Sequence, residues 1–426
     1  MPGSGYRLLY ERVIFVKIKD LIVDEFRIKD YVLRDAEGHR HPGPEKDARA
    51  FMVRIIADNG LEGIYFSSSN FLKPNEKYNI PKGVEDFSGG SGFSVPNVLR
   101  SIIKPMIVGE DVNAREKIFQ MISERQRLSK AITDGVLAYV DCALWDLAGK
   151  IAGMPVYKML GGHRTKIRAY ASTMVGDDYE GGLDTNEAYA KYAVDLQKQG
   201  FTAYKLHTWA DVPWHANSYR GKADWKRDAA VCHAVRDAVG PDMDLMLDPY
   251  HFYDRYDALY LGRELEKAKF AWLEEPMDEY NVTNYKWLCD NLDIPVCGPE
   301  VALGKLHTRA QWIMQGACDI CRTGAFDVGG LTPSLKIAHV CEAFGLPLEV
   351  HSPGPANIHL LASTVVQGEF YEYGLIHPFF DWATPPYLNS AVDEYDGEGN
   401  ILVPQGPGMG WDINHDYIRD NLIVSK

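Results

Sequence analysis

The sequence predicts an α/β fold built on a (β/α)8 barrel, and three observations carry that prediction. Beyond residue 158, short apolar runs alternate with amphipathic stretches: IRAYAS, AYKLH, DLMLDP, FAWLEEP, IPVCGPE, DICRTG, PLEVHS and FYEYG. No GxGxxG fingerprint opens these repeats, which favours a barrel over a doubly wound sheet. Three acids end three successive runs at spacings of 26 and 26 residues: Asp248 in LMLDPY, Glu274 in AWLEEP and Glu300 in PVCGPE. A repeating unit that returns one acid per repeat to the same end of a barrel explains that spacing.

The bulk properties bound the rest. A chain of 426 residues suits two domains, and 46% hydrophobic content is ordinary for a folded soluble protein. A net charge of −14 leaves no positive excess for phosphates, so nucleic acid is not the expected partner. There is no run of 18 apolar residues to span a membrane. The opening MPGSGYRLLYERVIFVKIKD scatters charges among its apolar positions, a strand pattern rather than a signal peptide. Seven cysteines in so long a chain read as reduced thiols and a cytoplasmic home. Cys318 and Cys321 form a CxxC on a predicted strand and read as buried core thiols, not a zinc or redox pair.

Along the chain, VIFVKIKDLIV and AFMVRIIADNGLEGIYFS read as strands, with a turn at Asn59-Gly60. Residues 34–46 and 70–96 are candidate lid loops, or plain solvated surface. Helical periodicity dominates residues 98–158, and the barrel repeats follow. The last 40 or so residues, rich in Gly, Pro and aromatics, are expected to leave the barrel and return to the N-terminal domain.

Three carboxylates at one end of a rigid frame are a site for a hard divalent cation. An oxygen-only shell suits Mg²⁺ or Mn²⁺ better than zinc. One strand before Asp248, Lys205 and His207 in AYKLH project to the same side, because side chains alternate along a strand. Beside a metal and its acids both could move protons; the alternative is a structural Lys–carboxylate pair. His351 ends the seventh run, across the barrel from Lys205 and His207, and is placed for acid or base work. Glu372, in the eighth run, could hold one end of a substrate or form a structural salt bridge.

These residues together resemble the mandelate racemase group of the enolase superfamily, from about residue 13 to 418. The most specific matches are DCALWDLAGK at 141–150, GMPVY from Gly153, LGG from Leu160, VGGLT from Val328 and the tail VPQGPGMGW. The resemblance implies a (β/α)7β-type TIM barrel (residues 141–384) under an N-terminal α+β capping domain (1–140), completed by the C-terminal tail (385–426). It also implies one divalent metal per subunit, held by Asp248, Glu274 and Glu300, and removal of the proton next to a carboxylate. This superfamily pairs a Lys or His base with Mg²⁺. The carbon acid is very weak, and a divalent ion with cationic neighbours lowers the barrier by several kcal/mol, ~5 or more.

The sequence departs from the group's pattern in three places. The second lysine of Lys-x-Lys is His207. Aligning on Val328-Gly329-Gly330 puts Gly324 where the group has the Asp that pairs with the seventh-strand His, with Asp327 nearby but out of register. Tyr250 stands where Asn is common. A His351 without an orienting carboxylate is a poorer base but still an acid, which disfavours a two-base racemase. Lys205 or His207 on one face, with His351 or Tyr250 on the other, would suffice for dehydration.

The capping loops that choose the substrate in this group carry Arg34, His39, Arg40, His41 and Lys46. His39 and His41 are candidate substrate contacts, as is Tyr250. The insertion WADVPWHANSYRGKADW adds Trp209, Trp214, His215, Asn217, Tyr219 and Arg220, which suit a sugar-like molecule; the alternative is an ordinary surface insertion. The expectation is therefore a Mg²⁺-dependent acid-sugar dehydratase acting on an aldonate or aldarate. The alternatives are an epimerase, racemase or sugar-lactone cycloisomerase on the same scaffold, or a binding protein that kept the fold. Three close carboxylates without a metal would repel, which argues against the last. The resemblance also implies a homo-oligomer, a dimer or octamer.

Overall fold

The computed structural model describes residues 15–34, 39–68, 71–75, 95–177, 179–209, 224–365, 368 and 370–426. Strands β1 (Ile18–Arg34), β2 (Arg40–Ala57) and β3 (Glu62–Phe66) form an antiparallel meander, with Gly60 at φ +86° in the β2–β3 turn. Leu21 and Val23 of β1 enter the main core, whereas Phe26, at a position of opposite parity, faces a second cluster with Met52, Phe66 and Tyr387. Side chains alternate along a strand, so the two faces of β1 feed two cores. Of the two candidate lids, residues 40–46 are the opening of β2 rather than a loop. In the other, residues 71–74 form β4 (Phe71–Pro74), and residues 76–94 lie outside the described residues.

The helix Asp134–Ala152 contains the DCALWDLAGK motif. Thr133 caps its first turn by accepting from the Val136 N–H at 3.2 Å, and Gly153 at φ +68° ends it. It is buried over most of its circumference, between the cap sheet and the barrel. The motif's acids are structural ties. Asp141 accepts from the backbone N–H and hydroxyl of Thr332 at 2.9 and 2.6 Å. Asp146 accepts from the N–H groups of Ile64 and Met409, both at 2.7 Å, joining the cap to the tail.

All eight predicted barrel strands are present: β5 (Lys166–Thr173), β6 (Ala203–His207), β7 (Asp244–Asp248), β8 (Trp272–Glu274), β9 (Val296–Gly298), β10 (Ile320–Thr323), β11 (Leu348–Val350) and β12 (Phe370–Ile376). Neighbours pair in parallel in the order β11-β10-β9-β8-β7-β6-β5-β12. The result is a nearly closed barrel beneath an α+β cap. Its interior floor is an apolar plug of Tyr170, Ala203, Met246, Trp272, Cys297, Ile320 and Phe370. Burying each large member contributes roughly 1.5–3 kcal/mol.

After the barrel the chain climbs back. Strand β13 (Phe380–Ala383) pairs with β4, β14 (Asn400–Leu402) with β5, and β15 (Leu422–Ser425) with β1. The tail therefore supplies an edge strand to the cap sheet. Cys318 and Cys321 are buried and unbridged, as expected for core thiols. Among the described residues, no helix is long and apolar enough to cross a membrane.

Candidate active site

Two residues beyond the plug, the same strands turn charged. Tyr170, Ala203, Met246, Trp272, Ile320 and Phe370 are followed at i+2 by Ser172, Lys205, Asp248, Glu274, Arg322 and Glu372. Because the side-chain period is 2, these form the next layer up inside the barrel, toward the strand C-termini. A cavity of about 360 Å³ opens above them, lined by Lys205, His207, Asp248, Glu300, His351 and Glu372 from the barrel and by Arg34 and Arg40 from the cap.

The layer is a network of ion pairs. Lys205 Nζ lies 2.6 Å from Glu274 Oε1, 3.0 Å from Glu372 Oε1 and 3.5 Å from Asp248 Oδ2. Arg322 reaches Glu274 at 2.8 Å, Glu372 at 2.9 Å and Glu300 at 3.0 Å. Burial and Arg322 both favour loss of the Lys205 proton, but Glu274 and Glu372 outweigh them and hold the amine charged. Burial alone would raise the Glu372 carboxyl, yet Lys205 and Arg322 bring it well below the usual range. Glu372 also accepts from Ser172 Oγ at 2.9 Å and the Ser352 N–H at 2.8 Å. Of its two sequence readings, the salt bridge describes how its oxygens are spent. Arg322 is the residue that sequence reasoning missed. The one charged residue in the strand ICRT was its signal.

His207 is held at both ring nitrogens: Nδ1 is 2.6 Å from the Thr173 carbonyl and Nε2 is 3.0 Å from Asp248 Oδ2. As it stands the ring orients Asp248 and offers no free nitrogen to a substrate. Tyr250 stacks on that ring at 4.6 Å between centroids, and its N–H donates to Asp248 Oδ1 at 3.0 Å. His39 packs edge-on against Tyr250 at 4.6 Å and lines the cavity. His41 is fully buried and is not among the residues lining that cavity.

Ligand oxygens of Asp248, Glu275 and Glu300 lie within 4.8 Å of one another. This is an all-oxygen donor set from three strand ends, which fits Mg²⁺. Glu274, expected from the sequence as the middle ligand, stands outside this group as the side chains lie. It points inward at the cations Lys205 and Arg322, and its Oε2 accepts from Trp272 Nε1 at 2.8 Å. Glu275, at φ +30°, turns off the strand end and pairs with His251 at 3.0 Å.

The departure at Gly324 resolves differently from its sequence reading. Asp327, which looked out of register, sits with both carboxylate oxygens 3.0 Å from His351 Nδ1. It reaches back from the short helix Ala325–Val328 into the space above Gly324, where a Cβ would collide with the Asp327 carboxylate and lie 2.7 Å from the His351 carbonyl oxygen. The His–carboxylate pair is therefore present, with its acid one helical turn later than the alignment predicts. His351 Nε2 faces Ser352 Oγ at 3.0 Å and Glu300 Oε1 at 3.2 Å. Burial opposes the charged ring, but Asp327 and then Glu300 push His351 up to about 10. Of the insertion residues, Trp209 packs on Tyr189 and Arg227, while Trp214, His215, Asn217, Tyr219 and Arg220 lie outside the described residues.

Comparison with known proteins agrees with this architecture. Residues 43–161 match the mandelate racemase / muconate lactonizing enzyme N-terminal domain, and residues 188–417 match the enolase C-terminal domain-like family. The structure of D-glucarate dehydratase from Agrobacterium tumefaciens, complexed with magnesium, superposes with a TM-score of 0.85 at 44% identity, covering 96% of this chain and 100% of that one. L-talarate/galactarate dehydratase of Salmonella typhimurium is 26% identical over 88% of this chain and 83% of its own length. D-galactarolactone cycloisomerase of Agrobacterium fabrum is 27% identical over 74% of this chain and 81% of its own.

Proposed function

The chain belongs to the mandelate racemase group of the enolase superfamily, and from that premise we propose that it dehydrates an acid sugar to a 2-keto-3-deoxy acid. The observation that carries the reading is that Lys205, on β6, and His351, just after β11, line one cavity from different sides of the barrel, beside a cluster of carboxylates. The 44% identity to a D-glucarate dehydratase supports an aldarate among the acid sugars.

A divalent cation, Mg²⁺ for preference and one per subunit, would supply positive charge opposite the negative charge that develops on the substrate carboxylate. We keep Asp248, Glu274 and Glu300 as its ligands. Glu274 follows Leu273, which pairs with Leu247 just before Asp248, so the two acids share a level. The present partners of Glu274 are cations, the kind of charge it was built to meet, whereas Glu275 has its own partner in His251.

Lys205 Nζ takes the α-proton. It can do so only when Glu274 and Glu372 no longer hold its own proton in place, so its basicity depends on how those carboxylates are engaged. His351 Nε2 then protonates the departing β-hydroxyl, with Asp327 fixing the ring through Nδ1. Water leaves, and the resulting enol becomes the 2-keto acid by taking a proton at the former β-carbon. His207 orients Asp248, and Tyr250 packs over that ring.

A second reading has one observation in its favour. With Asp327 in place, His351 is a competent second base, and two bases on opposite faces serve an epimerase. A proton-NMR screen of the purified enzyme with Mg²⁺ in D₂O, over acid sugars and sugar lactones, separates these. A 2-keto-3-deoxy product supports dehydration. Deuterium at the α-carbon with the hydroxyls retained moves the assignment to epimerase, and an opened or closed lactone to cycloisomerase. Silence across the whole panel overturns the acid-sugar assignment. A homo-oligomer belongs to the same proposal, and light scattering tests it.

A further inference from the structure

We infer that Arg40, with Arg34 beside it, binds a second carboxylate at the cap end of the cavity, so that the enzyme selects dicarboxylates over monocarboxylates. The inference rests on the acid-sugar reading above and names the subclass that this chain's own cap residues would choose.

The cavity is electrically polar from end to end. Its lining acids, Asp248, Glu300 and Glu372, all rise from the barrel. Among the described residues, the cap wall brings Arg34 and Arg40, with Ser67 and Ser68, and no acid. The β1–β2 register sets Arg34 directly opposite Arg40. Like charges at directly opposed positions of an antiparallel pair destabilise it, and a hairpin that served only the fold would gain from losing one of them. The two also bracket the cavity: Arg34 acts electrostatically on Tyr139, and Arg40 on Tyr250.

Neither guanidinium has an ion pair or side-chain hydrogen bond among the described residues. Arg40 carries the strain. Burial, and then the charge of Arg34, both lower its pKa, so the charged form is held at a cost that an anion would remove. A guanidinium fork matches a carboxylate in two parallel charge-assisted bonds. The terminal CH₂OH of a monoacid would cover the same group without neutralising it. Sites that must satisfy a buried polar partner reject analogues lacking it far more strongly than apolar pockets reject a missing methylene.

The test separates selection from chemistry. First, kcat/KM is measured for a hexarate and the hexonate of matching configuration with wild-type, Arg40→Gln and Arg34→Gln enzymes. Wild type should favour the diacid by ~10²-fold or more. Arg40→Gln should shrink that ratio about tenfold or more, chiefly through KM, and the exposed Arg34→Gln should do so less. Equal loss on both substrates, or a wild type without preference, overturns the inference. Second, calorimetry with Mg²⁺ compares adipate and 6-hydroxyhexanoate, which have no hydroxyl beta to an acidic α-carbon and cannot be dehydrated. Tighter adipate binding that Arg40→Gln abolishes sustains the clamp even if no acid sugar is turned over. In that case it is the dehydratase reading that fails. Equal binding of the two acids, or binding of neither, overturns the clamp itself. Circular dichroism melts confirm that each variant folds, and Arg40→Lys, which keeps the charge without the fork, should fall between wild type and Arg40→Gln.

Discussion

Asp327 holds His351 Nδ1 with both carboxylate oxygens at 3.0 Å, from a position three residues after the glycine that makes room for it. Asp327→Asn should leave the fold intact and lower kcat by ~10²-fold or more, because the ring loses the carboxylate that sets its orientation and favours its charged form. Gly324→Ala should cost turnover and stability together, since its Cβ would displace that carboxylate. Single-turnover rates and thermal melts check both. An Asp327→Asn enzyme at full rate would remove His351 from proton transfer.

Adjacent carboxylates at the end of β8 make a paired test. Glu274→Gln should weaken Mg²⁺ binding at least tenfold by calorimetry, an effect on the order of the 1.4 kcal/mol that each decade represents. Glu275→Gln should change it by less than about threefold. The reverse result would give the ligand role to Glu275, in line with the grouping of Asp248, Glu275 and Glu300.

Arg322 is wholly buried and answers Glu274, Glu300 and Glu372 at once. Arg322→Met removes one charge and leaves three carboxylates in the interior, Glu274 and Glu372 facing Lys205 and Glu300 facing His351. Removing one partner from a buried ion network typically costs about 3–5 kcal/mol. Urea unfolding should show a loss of that order. A near-neutral result would mean that the acids in this layer are protonated rather than paired.

His359 supplies a pH dependence away from the site. It is fully buried, its Nδ1 accepts from the Tyr157 N–H at 3.2 Å, and burial lowers it to about 4. A depressed histidine binds its proton more readily in the unfolded chain, where the pKa is about 6.5. Its contribution is therefore complete above pH 6.5 and is lost as pH falls toward 4. The full span is on the order of 3 kcal/mol. Wild type should lose stability between pH 7 and 5 more steeply than His359→Gln, whatever the other groups do. Parallel pH profiles for the two proteins would show that His359 is not the titrating group.

The barrel was legible because its signals are local and periodic. Eight apolar runs became eight strands, and Asp248, Lys205 and His351 took the strand-end positions that a period of 2 assigns them. What was not legible depends on where side chains go after the strand ends. Asp327 was hidden because alignment counts residues, whereas a helix after Gly324 folds position 327 back over position 324. The burial of His41 was equally hidden, because the sequence does not show what packs over the start of β2. Glu274 and Glu275 could not be told apart in their present partners, since each has a cation within 3.0 Å and only three dimensions say which.

The pairing of β15 with β1 has a consequence in time as well as space. Ser425 Oγ donates to Asp24 Oδ1 across 401 residues of sequence. During synthesis β1 emerges before the barrel, and the edge that β15 will cover stays open until the barrel has been made. An uncovered strand edge is a template for wrong pairing, and so slow or interrupted translation exposes this chain at its cap rather than at its barrel. The arginine-bearing hairpin belongs to that same sheet, so a nascent chain would complete its barrel before its cap sheet.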